Sequence, residues 1–167
     1  MHQIWLTAIG RDRPGIVARI ARVLLDHGLN IEDSTMRILG GRFAMMLLLR
    51  GSASEEALYR DLVATGRDLG LDYIYVHPVA EMDAVSPKPT HMASLFGADR
   101  PGQVAAVAEA LAGLNVNICG LATRLEGKVS VLELELTVPP EVDIRAHLER
   151  IADEREISLE LVDLPTA

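Results

Sequence analysis

The chain has 167 residues, 49% of them apolar and 24% charged, with a formal net charge of −8. That balance describes a globular protein rather than a disordered one, and no apolar run approaches the length needed to cross a bilayer. An acidic surface repels phosphate, which argues against direct binding of DNA or RNA.

The charge is unevenly spread. Residues 1–80 carry nine basic and nine acidic side chains, residues 81–167 seven and fifteen. Arg11, Arg13, Arg19 and Arg22 form a local basic group that reads as a solvated helix face. Cys119 is the only cysteine, so neither an intrachain disulfide nor a multi-cysteine metal site is available. Met1-His2-Gln3-Ile4 enters a strand pattern directly, without a basic leader, and the expected location is cytosolic.

In chain order, His2 to Ile9 alternates as a first strand, expected to end at Gly10. From Pro14 to about His27 the apolar residues Ile16, Val17, Ile20, Val23 and Leu24 fall at helical spacing, with Asp12 or Arg13 at the start and Gly28 as a left-handed stop. Leu29 to Leu39 and Arg42 to Arg50 are strands joined at Gly40-Gly41, a pair suited to a tight hairpin. Ser54 opens a second helix that runs to about Leu69, with Glu55 and Glu56 in its first turn. Leu71 to Val79 closes the unit. Residues 81–89, with Ser86-Pro87-Lys88-Pro89, read as a stiff linker.

The plan then repeats. Strand His91 to Phe96, helix Pro101 to Leu114, strands Val116 to Leu125 and Val129 to Val138, helix Pro140 to about Asp153 and strand Glu156 to Val162 follow in the same order. The repeat is visible in the residues themselves: Gly10-Arg11-Asp12-Arg13-Pro14-Gly15 returns 87 positions later as Gly97-Ala98-Asp99-Arg100-Pro101-Gly102. The same offset pairs Val17 with Val104, Ala21 with Ala108, Asn30 with Asn117, Arg37 with Arg124 and Gly40 with Gly127. The expectation is an α+β protein of two ferredoxin-like βαββαβ modules, each a four-stranded antiparallel sheet with two helices on one face, at 1–80 and 90–167.

The copies differ in their third strands. Leu132, Leu134 and Leu136 alternate with Glu133, Glu135 and Thr137, which predicts one wet sheet face. The first copy has Ala44, Met46 and Leu48 at the polar positions, so its helix-free face is expected to be covered by another surface, in this chain or a second one. Unchanged oligomeric state and solubility in a Met46→Glu, Leu48→Glu variant would contradict that expectation.

A turn that leads a strand into a helix offers unpaired N–H groups and the positive end of the helix dipole, which suits a carboxylate. Asp12 and Asp99 could accept an ammonium group, Gly15 and Gly102 permit close approach, and Asn30 and Asn117 supply donors and acceptors. Together these groups would match an α-amino acid. Read as structure alone, Asp caps the helix, Pro fixes its first turn and Gly relieves crowding, so both readings stand at this point.

The residues Asp12-Arg13-Pro14-Gly15-Ile16-Val17 and Gly28-Leu29-Asn30-Ile31-Glu32-Asp33-Ser34, with Asp99-Arg100-Pro101-Gly102 and Asn115-Val116-Asn117-Ile118, resemble the signature of ACT domains. In tandem they resemble the glycine cleavage system transcriptional repressor family. The resemblance implies modules that pair side by side and bind a small effector, often an amino acid, at Asp12, Arg13, Gly15 and Asn30, with Asp99, Arg100, Gly102, Gln103 and Asn117. The second copy has Gln103 where the first has Ile16, and Cys119-Gly120 where the first has Glu32-Asp33, so its site is expected to be altered or empty; the first turn is the favoured ligand site. The same turn also occurs in regulatory modules attached to phosphoserine phosphatases and formyltetrahydrofolate hydrolases.

Catalytic readings find little support. His2, His27, His77, His91 and His147 show no metal-ligand spacing, and Gly127-Lys128-Val129-Ser130 lacks a phosphate-binding glycine loop. Ser34, Ser130 and Cys119 have no base nearby in sequence, and Glu133 with Glu135 reads as a solvated strand face. The expected protein is non-catalytic, without metal or cofactor. It senses a small metabolite such as glycine and regulates transcription through a protein partner, by the resemblance an activator of the glycine cleavage genes. A homo-oligomer is compatible with this. The rival expectations are a ligand-free interaction module and a detached regulatory subunit of a metabolic enzyme.

Overall fold

A computed structural model describes residues 2–79 and 88–165. The chain divides into two compact units, Met1–Ala84 and Val85–Ala167. The first contains β1 (His2–Arg11), α1 (Ile16–Asp26), β2 (Asn30–Leu39), β3 (Arg42–Gly51), α2 (Glu55–Leu69) and β4 (Leu71–Pro78). The second contains β5 (His91–Ala98), α3 (Gln103–Gly113), β6 (Asn117–Glu126), β7 (Val129–Thr137), α4 (Arg145–Arg155) and β8 (Ser158–Asp163). Both are antiparallel sheets, ordered β2-β3-β1-β4 and β6-β7-β5-β8.

Period-two alternation decides which side chains are buried. In the first unit Ile4, Leu6 and Ala8 of β1 and Phe43, Met45, Leu47 and Leu49 of β3 point to one face, where Ile16, Ile20 and Leu24 of α1 and Leu58, Leu62 and Leu69 of α2 cover them. The second unit repeats this with Ala93, Leu95, Leu132, Leu134 and Leu136 under Val107, Leu111, Leu148 and Ile151. Each fully buried leucine contributes about 1.5–3 kcal/mol through removal from water. On the helix-free face, Trp5 and Ile9 align with Leu48 and Ala44 of β3 and with His77 and Tyr73 of β4, an apolar surface. Its counterpart in the second unit carries Glu133, Glu135 and Glu160.

Several element boundaries depart from expectation. β1 does not stop at Gly10 but passes through it to Arg11, with a register shift against β4 between Ile9 and Gly10. A Cβ at Gly10 would lie 2.7 Å from Leu71 Cδ2 and 2.9 Å from Leu71 Cα. Glycine is therefore demanded by close approach of β4, not by a turn. Both first helices begin after the Pro-Gly pair, and α4 begins at Arg145 rather than Pro140. There Val142 N bonds back to the Pro139 carbonyl at 3.0 Å, and Asp143 Oδ1 accepts from Arg145 N at 3.0 Å, so the prolines form a turn ahead of the helix. β8 starts at Ser158 because Glu156, at φ 55°, forms the left-handed C-cap of α4. The linker expected at 81–89 lies outside the described residues apart from Lys88 and Pro89.

Candidate functional site: two uncapped helix starts

Asp12 N donates to the Gly41 carbonyl at 3.0 Å, tying the first turn to the β2–β3 hairpin. Gly15 then adopts φ 94° as the residue preceding α1, and Gly102 adopts φ 82° before α3. The carbonyl of Gly15 accepts from Arg19 N and that of Gly102 from Ala106 N, each at 3.0 Å. The N–H groups of Ile16, Val17 and Ala18, and of Gln103, Val104 and Ala105, thus have no carbonyl one turn back. No side chain caps either helix, whereas Ser54 caps α2 by accepting from Ala57 N at 3.5 Å. The structural reading of Asp12 and Asp99 as caps therefore fails. Open donors and a helix dipole remain beside a carboxylate in each unit, a pairing suited to a zwitterion.

Each start opens into a cleft. The first, about 480 Å³, is lined by Asp12, Arg13, Pro14, Gly15, Ile16, Val17 and Ala18 together with Met36 of β2 and Phe43 of β3. The second, about 530 Å³, is lined by Asp99, Arg100, Gly102, Gln103, Val104 and Ala105 with Thr123 of β6 and Ser130 of β7. Both volumes fall within the range of small-molecule sites. An apolar groove of about 150 Å³ adjoins the first cleft at Val17 and Met36, running between α1 and β2 along Ile20, Ala21 and Ile31.

Arg13 and Arg100 line their clefts, and each also bonds to the end of the second helix of its unit. Arg13 Nη2 donates to the Asp68 carbonyl at 2.6 Å, and Arg100 contacts the Arg155 carbonyl at 3.4 Å and Glu156 Oε2 at 2.6 Å. In both units the arginine braces its turn against the C-terminus of the second helix.

Asn30 and Asn117 are not brought to the clefts of their own units. Asn30 pairs with Arg50, which in turn pairs with Gln3, whereas the turn leaves the sheet where Arg11, Arg42 and Leu39 align. The nine steps from Asn30 to Leu39 span about 30 Å at roughly 3.3 Å per residue. Asn117 Nδ2 instead lies 3.5 Å from Cys119 Sγ. The structure thus joins Asp12, Arg13 and Gly15 in one cleft and Asp99, Arg100, Gly102 and Gln103 in the other.

Sequence reasoning missed Met36, Phe43, Thr123 and Ser130. The signal was present, because the 87-residue offset pairs Met36 with Thr123 and Phe43 with Ser130. Their place beside the turn depends on strand register, which the offset does not reveal.

At the far end of the first sheet Glu32 accepts from Arg50 and, at 2.6 Å, from Gln3 Nε2. The Arg50 guanidinium, then the Gln3 amide, hold the Glu32 carboxyl below the usual glutamate range. His27 does the same for Asp61 at 2.9 Å. Glu133 pairs with Arg124 at 2.6 Å on the open sheet face. Among the described residues no three His, Cys, Asp or Glu side chains are placed to hold a metal ion, and no helix is long and apolar enough to cross a membrane.

Two βαββαβ units with paired turn clefts define a tandem ACT-domain protein, and the ACT domain family model matches residues 2–75. The chain is 31% identical over 161 residues to the glycine cleavage system transcriptional repressor of Escherichia coli, an alignment covering 93% of this chain and 80% of that protein. The chain belongs to the glycine cleavage system transcriptional repressor family. A UPF0237 protein of Methanopyrus kandleri is 43% identical over 80 residues, 46% of this chain and 89% of that one. The crystal structure of an unknown protein from Galdieria sulphuraria superposes with a TM-score of 0.82 at 26% identity, over 98% of this chain and 99% of that one. Homology to regulatory ACT domains supports a regulatory, ligand-sensing role.

Proposed function

We propose that the protein binds a free amino acid such as glycine at the uncapped starts of α1 and α3, and that occupancy alters its contact with a protein partner that controls transcription. The observation that carries this reading is the open set of N–H donors beside Asp12 and again beside Asp99. The ligand carboxylate would accept from Ile16, Val17 and Ala18, or from Gln103, Val104 and Ala105, while Asp12 or Asp99 takes the ammonium group. Similarity to the Escherichia coli repressor supports a partner in glycine cleavage gene control, hence action in the cytosol.

Calorimetric titration of the full chain with a panel of amino acids tests the sensor. Saturable heat, with thermal stabilisation that grows with ligand concentration, is expected. Absence of both with every amino acid would leave a ligand-free interaction module, the reading that the Arg13 and Arg100 braces favour for the turn. Affinity capture from the native lysate tests the partner: a transcription factor is expected, and recovery of a metabolic enzyme alone would favour a detached regulatory subunit.

A further inference from the structure

The two clefts share their turn but not their walls. Asp12, Arg13, Gly15, Val17 and Ala18 have identical counterparts in Asp99, Arg100, Gly102, Val104 and Ala105. The three positions that close the cleft all change from apolar to polar: Ile16 to Gln103, Met36 to Thr123 and Phe43 to Ser130. They come from a helix start and two strands, separated in sequence and joined only by the fold.

Gln103 is the most telling of the three. It occupies the slot that Ile16 fills in the first core, and it is only 6% exposed. Its carboxamide has no hydrogen-bond partner among the described residues. The sole described side-chain atom that is both fully enclosed and unpartnered is His77 Nδ1, so the Gln103 amide is not sealed off and borders open space. That space is the second cleft, which Gln103 lines. An amide that opens on the cleft meets water there, where a core isoleucine would offer no polar group. A ligand group that both donates and accepts would satisfy it.

Building on the amino-acid reading above, we infer that the clefts differ in the side chain they accept. The second is specific for an amino acid with an uncharged polar side chain, bonded by Gln103 with the hydroxyls of Thr123 and Ser130. The first takes an amino acid with an apolar side chain, received by Ile16, Met36 and Phe43. The backbone donors and the aspartate recognise the common head group, so glycine enters both with little discrimination.

Amide chemical-shift titrations of the full chain with glycine, serine, glutamine, leucine and methionine read each cleft separately. Serine or glutamine should bind at Gln103–Ala105 about tenfold more tightly than leucine or methionine, with the order reversed at Ile16–Ala18. Gln103→Ile should weaken serine and glutamine at the second cleft by about tenfold. The variant restores the residue that the first core already packs, and Gln103→Leu provides a second fold-compatible control. Equal affinity for polar and apolar amino acids at the second cleft, or selectivity unchanged in both variants, would overturn this inference while glycine binding left the sensor reading intact. No binding by any amino acid would overturn both.

Discussion

Arg13 Nη2 donates to the carbonyl of Asp68 at 2.6 Å, carrying the first turn onto the C-terminus of α2. Arg100 reaches the carbonyl of Arg155 in the second unit, across the same separation of 55 residues. This contact gives arginine a structural task in the Asp-Arg-Pro-Gly turn and leaves head-group recognition to the backbone and the aspartate. Arg13→Ala should therefore cost about 1 kcal/mol, since the bond is solvent-exposed, and lower the melting temperature by several degrees. Amino-acid affinity should change by less than about threefold. Abolished binding in a folded Arg13→Ala protein would show that the arginine holds the ligand.

Gly10 in β1 and Gly15 in the first turn should fail in different ways. At Gly15 a Cβ meets nothing within 4 Å, so Gly15→Ala costs only the strain of φ 94°, about 1 kcal/mol. At Gly10 a Cβ would press on the backbone of Leu71, and Gly10→Ala should cost about 3 kcal/mol by overpacking. Urea unfolding of both variants checks the order, and a larger loss at Gly15 would contradict the close approach of β4 to Gly10.

The repeat, the strand and helix order and the core face of the second unit were legible in the sequence because each rests on short-range periodicity: Leu132, Leu134 and Leu136 announce a buried face by alternation alone. Gly40 and Gly41 likewise take the positive φ angles, 57° and 75°, that their hairpin suggested. Long-range register was not legible. It separates Asn30 from the turn, brings Met36 and Phe43 to it, and turns Gly10 from a strand end into a point of close contact with β4. Pro140 misled because proline suits a helix start and a preceding turn equally, and the deciding contact, Asp143 to Arg145, lies beyond it.

Glu32 is held below the usual glutamate range by Arg50 and Gln3, which predicts that acid weakens the first unit. A carboxyl whose folded pKa is depressed adds stability that is fully present above its unfolded pKa and is lost as pH falls through the folded value. Glu32→Gln should lower stability at neutral pH and flatten its decline on acidification. Parallel profiles for the two proteins between neutral pH and the carboxylate range would show that the cluster contributes nothing.

Replacing the carboxylate of one cleft should silence that cleft alone. Asp12→Asn is expected to weaken amino-acid binding at α1 by about tenfold through loss of the ammonium partner, with binding at α3 unchanged. Asp99→Asn should do the reverse, and site-resolved titration checks both. Equal weakening at both clefts by either variant would contradict two separate sites.

Amide spectra of the labelled full chain, titrated with glycine and then with each other proteinogenic amino acid, show whether the uncapped starts of α1 and α3 receive an amino-acid head group. Saturable shifts concentrated at Gly15–Ala18 and Gly102–Ala105 are expected. Saturable shifts that lie elsewhere and spare both turns, or no shifts with any amino acid, would contradict that expectation.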